Sequence, residues 1–372
     1  MTFRPAADIG MTLAEVDTPC LVLDLDAFER NLDRLDASLA GRTVKVRPHA
    51  KSHKCPHIAL RQMARGAVGV CCQKVSEAEA MVAGGVPDVL IANEVVGAAK
   101  LERLAVLARQ ARIRVCADNA ANVRDLDAAA RAAGVVLDVL VEVNVGANRC
   151  GVEPGEPAAA LARAIAACGG LRFAGLQAYH GSAQHLRSVA ERRDAIASAV
   201  AKVQSSKLAL AVAGLPCDYV TGAGTGTYLY EAASGIYTEL QPGSYIFMDA
   251  DYARNDWTES GLPRFEHSLF VWTTVMSIPG SGQVVVDAGL KASSVDSGMP
   301  RVADIAGAEY VKASDEHGVI RLPAGVAPAL GEKLRLIPGH CDPTVNLYDW
   351  YVGVRDGRVA ALWPITARGA VL

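Results

Sequence analysis

The segment RPHAKSHK, residues 47–54, contains the most reactive side chain that the sequence offers, the amine of Lys51. The preceding Val44-Lys45-Val46 predicts a short strand, so Lys51 should lie just past the carboxyl end of that strand. Two other lysines, an arginine and three histidines are close along the chain, and like charges favour a neutral amine. We therefore expect a lowered pKa for Lys51, as an amine needs before it forms a Schiff base. A basic surface loop is the alternative.

A glycine- and threonine-rich segment, residues 221–227, offers a second function. It follows a predicted strand, and the backbone N–H groups around Gly224, with the hydroxyl of Thr225, can hold a phosphate. Further donors can come from the segment LQPGSY, through Gly243, Ser244 and Tyr245. A lysine amine and a phosphate site together indicate pyridoxal phosphate, which is attached through a Schiff base. An ordinary glycine-rich turn is the alternative.

Polar side chains also follow other predicted strands. They are Gln73, Arg149, and Tyr179 and His185 of the segment YHGSAQH. In a barrel of parallel strands these ends share one mouth. Arg149 can then serve as a fixed cation for the phenolate oxygen of the cofactor, whereas a surface ion pair is the alternative.

The segment PGHCDP, residues 338–343, is the densest cluster of metal-binding side-chain types. If this segment is extended, His340 and Asp342 point to one side and Cys341 to the other. An imidazole and a carboxylate supply half of a divalent metal site, which water or substrate can complete. A turn flanked by prolines is the alternative.

Apolar runs of strand length alternate with alanine-rich runs of helix length from about residue 18 to residue 224. The strand candidates are Cys20–Leu25, Val44–Arg47, Val68–Cys72, Asp88–Ala92, Ile113–Ala117, Leu137–Val145, Phe173–Tyr179 and Tyr219–Gly222. Most are rich in Val, Ile and Leu, as parallel strands covered on both faces are. This α/β pattern predicts a TIM (β/α)8 barrel. A doubly wound open sheet is the alternative, but no GxGxxG turn follows the first strand.

After residue 251 the helical periodicity stops, and strands separated by Gly, Pro and Asp predict a second, all-β domain. We expect the barrel over residues 18–251, and the β domain with the metal ligands over residues 1–17 and 252–372.

Composition narrows the functional class. The 372 residues carry a formal net charge of −3, which argues against nucleic acid or an anionic membrane surface as a partner. No run of apolar residues predicts a membrane span or a signal peptide. Nine cysteines at irregular spacing, without a CxxC pair, predict free thiols in a reducing cytoplasm.

The same motifs give the chain a specific resemblance. It resembles the fold-type III pyridoxal phosphate enzymes, in the branch of D-threonine aldolases, 3-hydroxyaspartate aldolases and D-serine dehydratases. The motifs that carry it are RPHAK (47–51), CQKVSEAE (72–79), NRCGV (148–152), QAYHG (177–181), TELQ (238–241), FMDADY (247–252) and GHCDP (339–343). Together they cover nearly the whole chain.

The resemblance implies a homodimer and a role for each motif residue. Lys51 would carry the cofactor, Arg149 would hold its phenolic oxygen and Tyr179 would contact its ring. The phosphate would be bound by Thr225, Gly243 and Ser244. His340 and Asp342 would bind the metal, and His185 would lie close to the substrate hydroxyl as general base.

The resemblance further implies metal-assisted retro-aldol cleavage of a β-hydroxy-D-α-amino acid to glycine and an aldehyde. The dehydratases have His-x-Cys at the metal position, whereas the His-x-Asp of this chain is the aldolase form, suited to manganese or magnesium. Dehydration to a keto acid and a non-catalytic pyridoxal phosphate-binding protein are the alternatives. The β substituent, methyl or carboxylate, stays open; a carboxylate would need another cation, from Arg47, Lys54 or Arg254.

Overall fold

Two β-sheets organise the chain, of which the computed structural model describes residues 4–258, 261, 263–280 and 282–372. In chain order the first elements are strand β1 (Cys20–Asp24) and helix α1 (Leu25–Ser38). The next eight strands form the first sheet, in which every neighbouring pair is parallel. They are β2 (Lys45–Val46), β3 (Val70–Cys72), β4 (Asp88–Glu94), β5 (Arg112–Ala117), β6 (Leu137–Glu142), β7 (Leu171–Ala178), β8 (Val220–Gly222) and β9 (Glu239–Leu240).

This first sheet closes into a barrel. Its first strand β2 pairs with its last strand β9, and a parallel bridge joins His49 to Cys71 of β3. The Val68 N–H also donates to the Val46 carbonyl at 2.9 Å across the same seam. The predicted TIM-type barrel is confirmed, and its apolar strand residues form the main core.

Helices follow the barrel strands and cover the outside of the sheet. They are α2 (Pro56–Ala64), α3 (Val75–Ala83), α4 (Ala98–Leu107), α5 (Ala120–Ala133), α6 (Glu156–Ala166), α7 (Val189–Val212) and α8 (Tyr228–Ala233). Local signals set their ends, as α5 illustrates. The Asn119 side chain accepts the Ala121 N–H at 2.8 Å, and Gly134 ends the helix in the left-handed region at φ 67°.

The second sheet belongs mainly to the C-terminal part of the chain. Its strands are β10 (Leu269–Gly280), β11 (Gln283–Val286), β12 (Arg301–Val302), β13 (Glu309–Ala313), β14 (Gly318–Arg321), β15 (Lys333–Ile337), β16 (Trp350–Arg355) and β17 (Arg358–Pro364), with the short helix α9 (Cys341–Val345) between β15 and β16. The predicted all-β C-terminal region is thereby confirmed, with α9 as an unpredicted helix.

Strand β1 corrects the predicted membership of the barrel, while the number of eight barrel strands stands. The candidate Cys20–Leu25 does not join the barrel, because β1 lies in the second sheet between β10 and β16. The eighth barrel strand is instead β9, whose two residues are too few to give a strand signal. The division at residues 18 and 251 stays a prediction, although β1 lies within the predicted barrel range.

Helix α7 has the length and the apolar composition of a membrane span. Its buried residues, however, recur along one face, where Ile196, Ala199, Val203 and Leu210 pack inward. This spacing is that of a helix that packs one face on the protein core. The long helix therefore belongs to the barrel wall.

Candidate active site

A cavity of about 480 Å³ opens at the carboxyl ends of the barrel strands. The structure brings almost all sequence-predicted site residues into its lining, although they come from both sheets. They are Lys51, Gln73, Arg149, Tyr179, His185, Gly224, Thr225, Gly243, Ser244, His340 and Asp342. The carboxyl ends of barrel strands are where active sites of this architecture lie.

Tyr245 is the exception among the predicted residues. Its side chain is 1% exposed, accepts a hydrogen bond from Gln62 at 3.1 Å and packs on Phe265. It does not line the cavity, so its hydroxyl cannot contact a cofactor there. Its neighbours Gly243 and Ser244 do face the cavity.

Lys51 lies on a single 3-10 turn directly after β2 and pairs with the carboxylate of Asp342. Burial lowers the pKa of Lys51, but the Asp342 carboxylate and Tyr179 raise it, and the net pKa lies above the usual lysine value. The predicted lowering of this pKa is therefore wrong for the protein without ligands.

The neighbours of Lys51 explain why the predicted like-charge effect is absent. Lys54 pairs with Glu77 at 2.5 Å, and Arg47 pairs with Glu239 at 2.9 Å, so both cations are neutralised. Burial lowers the pKa of His53 to about 3, and that histidine stays uncharged. The other two cations of the basic segment are thus buried and paired with carboxylates.

A cradle for a phosphate lies between the loops after β8 and β9, the seventh and eighth barrel strands. The Thr225 Oγ1 atom is buried and has no hydrogen-bond partner among the described residues. A Cβ atom on Gly224 would lie 2.6 Å from Gln184 Oε1, and one on Gly243 would lie 3.2 Å from His49 Cβ. A buried hydroxyl without a partner and a backbone of glycines are suited to binding a phosphate. Barrels of this type often bind a phosphate after their seventh and eighth strands.

Arg149 lies at the mouth, with its guanidinium 5.7 Å from the centre of the Tyr179 ring. No carboxylate of the described residues lies within 4.0 Å of it. Asn148 before it adopts the left-handed region at φ 51°, and its Oδ1 accepts a hydrogen bond from Asn144. The turn therefore holds an uncompensated cation against an aromatic ring, which fits an anionic oxygen of a bound cofactor.

His185 is held from behind by Asp251. The two side chains meet through His185 Nδ1 and Asp251 Oδ2 at 2.6 Å, and Tyr252 packs on the imidazole. Burial raises the pKa of Asp251, but hydrogen bonds from Arg187, Arg254 and His185 lower it to about 2. An ionised Asp251 keeps the proton on Nδ1 and leaves Nε2 free to accept a proton.

His340 and Asp342 enter the cavity from the second sheet. The extended conformation considered for this segment is absent, because Asp342 lies in α9 and His340 is the residue directly before that helix. Both side chains nevertheless line the cavity. The start of helix α9, and not the alternation of a strand, brings them to the same side.

The donor atoms of this pair fit a divalent metal. Asp342 Oδ1 is buried without a hydrogen-bond partner among the described residues. His340 Nδ1 contacts Asp296 at 2.9 Å, which leaves Nε2 as the ligand atom. Burial raises the pKa of Asp342, but Lys51 and His340 lower it more, so Asp342 stays ionised.

Sequence reasoning missed three residues that support this site. Asp251 and Asp296 orient the two histidines, and Gln184 lies under the phosphate cradle. Asp251 belongs to the motif FMDADY, which contributes to the family resemblance, but the resemblance assigned no role to this residue. Asp296 gave no signal, because it is 44 residues from His340 along the chain.

Comparison with known proteins agrees with this geometry. The family model "Alanine racemase, N-terminal domain" matches residues 23–251, and "Putative serine dehydratase domain" matches residues 268–354. The first of these covers more than half of the chain. The chain belongs to the alanine racemase-like family of fold-type III pyridoxal phosphate enzymes.

Individual relatives place it within this family. It is 52% identical to D-threonine aldolase of an Arthrobacter species, over 98% of this chain and 96% of the relative. It is 48% identical to 3-hydroxy-D-aspartate aldolase of Paracoccus denitrificans, over 97% of this chain and 94% of the relative. The crystal structure of D-threonine aldolase from Filomicrobium marinum matches with a TM-score of 0.96 at 54% identity, covering 99% of this chain and 100% of that one. The predicted family and its aldolase branch are confirmed, and this family member is a lyase of aldolase type.

Proposed function

We propose that this family member cleaves the Cα–Cβ bond of β-hydroxy-D-α-amino acids to glycine and an aldehyde, with pyridoxal phosphate and a divalent metal ion. The observation that carries the proposal is the meeting of Lys51, His185, His340 and Asp342 in one cavity. It unites an amine for the cofactor, a base held by a carboxylate and two metal ligands. The aldolase relatives support the same reaction.

Each group has residues that can hold it. Lys51 would attach the cofactor, Arg149 would pair with its phenolic oxygen, and Tyr179 and Gln73 would border its ring. The phosphate would be bound at Gly224, Thr225, Gly243 and Ser244. When bound, the cofactor supplies an electron sink for the electrons of the broken Cα–Cβ bond.

The chain's own residues manage the β-hydroxyl. His340 and Asp342 would hold a metal that lowers the pKa of this hydroxyl, as a cation does for bound water. His185 would accept the hydroxyl proton at Nε2, and Asp251 would stabilise the imidazolium that forms. A mixed imidazole and carboxylate set supports manganese or magnesium.

An uncharged β substituent, as in D-threonine, is our first choice. A β-carboxylate needs a free cation, yet Arg47 and Lys54 are buried in ion pairs and Arg254 bonds to Asp251. Apart from Lys51 and Arg149, the described lining of the cavity contains no lysine or arginine. 3-Hydroxy-D-aspartate is the second candidate, supported by the Paracoccus relative.

Dehydration is the competing reaction, and Cys341 bears on it. A dehydratase-like metal site would use the cysteine, but the Cys341 thiol is buried and donates to the Met248 carbonyl at 3.3 Å. It does not line the cavity. A D-threo-3-hydroxyaspartate dehydratase of Delftia is 31% identical to this chain. If this chain catalysed dehydration instead, the products would be a keto acid and ammonia.

The deciding experiment measures products from D- and L-threonine, D-serine and the 3-hydroxyaspartate isomers, with manganese and then with a chelator. Glycine and aldehyde from D-threonine, lost on chelation and absent in Lys51→Ala, are the expected results. Keto acid and ammonia would contradict the aldolase proposal. An absorbance band of bound cofactor that no β-hydroxy amino acid changes would indicate a non-catalytic binding protein.

Two further proposals concern the oligomeric state, which rests on the resemblance alone, and the location. We infer a homodimer, which light scattering of the purified protein would test. We also infer a cytoplasmic location, which the nine free cysteines support.

A further inference from the structure

One buried side chain, Gln184, joins the phosphate cradle to the turn that carries His185. It is 0% exposed and immediately precedes His185 on the 3-10 turn Ser182–His185. Its Oε1 atom accepts the backbone N–H of Gly226 at 2.9 Å, and its Nε2 donates to Thr227 Oγ1 at 2.8 Å. Both partners belong to the cradle segment 221–227.

The orientation of this amide is fixed by its partners. The Gly226 N–H can only donate, so the oxygen of Gln184 must face it and the nitrogen must face Thr227. The Thr227 hydroxyl in turn donates to Glu231 Oε1 at 2.8 Å. A single arrangement of the amide therefore satisfies the loop.

The loop backbone rests directly on this side chain. Added Cβ atoms on Gly224 and Gly226 would lie 2.6 Å and 3.2 Å from Gln184 Oε1. Thr225, whose hydroxyl is the orphaned atom of the cradle, stands between these two glycines. The position of that hydroxyl thus depends on the amide below it.

Gln184 is also fixed on the side of the base. Its backbone carbonyl accepts Asn255 Nδ2 at 2.9 Å, and Asn255 Oδ1 accepts Arg187 Nη1 at 2.7 Å. Arg187 donates to Asp251, the carboxylate that holds His185. Through its backbone carbonyl, Gln184 therefore belongs to the same hydrogen-bonded network as the base, while its side-chain amide holds the cradle.

We propose that Gln184 is a positioning residue that sets the phosphate cradle and His185 in one fixed relation. It touches neither cofactor nor substrate, because it lies outside the cavity lining. It acts through Gly226 and Thr227 on one side and through its chain neighbour His185 on the other. The inference rests on the proposed function, since it assigns the cradle to the cofactor phosphate.

The test is Gln184→Met, which keeps the length of the side chain and removes both polar atoms. Absorbance titration of the cofactor-free protein with pyridoxal phosphate should show a dissociation constant raised about tenfold, because Gly226 N–H loses its acceptor. At saturating cofactor, kcat for D-threonine should fall about tenfold with KM changed less than about twofold, as expected for a displaced base. An unchanged dissociation constant and kcat would overturn the proposal.

Controls separate this role from simple loss of fold stability. Asn122→Leu removes another buried amide, on α5, whose Nδ2 donates to the Val95 carbonyl at 2.7 Å. Asn122→Leu should lower the melting temperature without changing the affinity for the cofactor. If Asn122→Leu and Gln184→Met lost affinity equally, Gln184 would have only a structural role and the proposal would be wrong. If Gln184→Met does not fold, Thr227→Val tests the same contact and should raise the dissociation constant severalfold. A wild-type protein that binds no pyridoxal phosphate would instead refute the proposed function.

Discussion

At the scale of single residues, both histidines of the proposed site are held by a carboxylate behind them. Asp251 orients His185, and Asp296 orients His340, both through Nδ1. In each case the other ring nitrogen is left for the cavity. The chemistry of the site therefore depends on carboxylates that never touch the substrate.

Asp251→Asn should lower kcat about 10²-fold or more, within the range that a general base contributes. An amide can donate to His185 Nδ1, which would place the imidazole proton on Nε2 and block proton acceptance there. Steady-state kinetics with saturating cofactor and manganese measure the loss. Asp194→Asn, an exposed carboxylate of α7, is the matched control and should retain full activity.

Asp296→Asn should weaken divalent metal binding about 10- to 100-fold, because this carboxylate fixes the ring of His340. Calorimetric titration of the metal-free protein with manganese checks it without any turnover. Asp315→Asn changes an exposed carboxylate of the same domain and should leave manganese affinity as it is. Equal affinities in all three proteins would show that Asp296 does not support the metal site.

At the scale of elements, the loops after β8 and β9 form the cradle, and α8 buries a carboxyl group beside it. Burial raises the pKa of Glu231 on α8 to about 7, because the hydrogen bond from the Thr227 hydroxyl offsets only part of the cost of burying the carboxylate. Its other oxygen, Oε2, has no partner among the described residues. The helix therefore carries a carboxyl group that keeps its proton below about pH 7, well above the usual range of a glutamate.

Glu231→Gln should make stability less dependent on pH. A raised folded-state pKa gives stabilisation that is present below the unfolded value of 4.5 and lost as pH rises through about 7. Between pH 5 and pH 8 the variant should gain on the order of 3 kcal/mol of unfolding free energy relative to wild type. Urea denaturation across this range measures it. Glu153→Gln, at an exposed site, should have the same dependence of unfolding free energy on pH as wild type. If Glu231→Gln also showed the wild-type dependence on pH, the raised pKa of Glu231 would be contradicted.

At the scale of the whole molecule, the site exists because two sheets meet. The barrel supplies Lys51, Arg149 and His185, while the second sheet supplies His340 and Asp342. Closure of the barrel depends on Arg47, which is 1% exposed and binds Glu239 of β9 and Asp88 of β4. This buried ion-pair network joins distant parts of the ring.

Arg47→Met should lower the unfolding free energy by about 3–5 kcal/mol, because it leaves Glu239 buried without its cation. Arg30→Met removes an exposed pair with Glu266 and should cost about 1 kcal/mol or less. Denaturation midpoints of both variants measure the difference. Equal midpoints for the two variants would show that Arg47 does not close the barrel. A raised KM in a stable Arg47→Met protein would indicate that Arg47 binds the substrate.

The fold was predictable wherever local signals suffice. Buried Val, Ile and Leu runs and capped helices are short-range features, as the Asn119 side chain that begins α5 and the Gly134 that ends it show. The assignment of β1 to the second sheet was not predictable, because an apolar run buried on both faces fits either sheet. The two-residue strand β9 is defined by its partners and not by its composition.

For the site, the chemical types could be recognised from the chain alone: a lysine amine, a phosphate-binding loop, a base and a His-x-Asp pair. These are motifs of a few adjacent residues, so their spacing is visible in the chain. Tertiary structure decided the charge state of Lys51, the neutralisation of Arg47 and Lys54, and the carboxylates behind the two histidines. The physical reason is that pKa values and hydrogen-bond partners depend on groups that are distant in sequence and adjacent in space, such as Asp342, which lies 291 residues from Lys51.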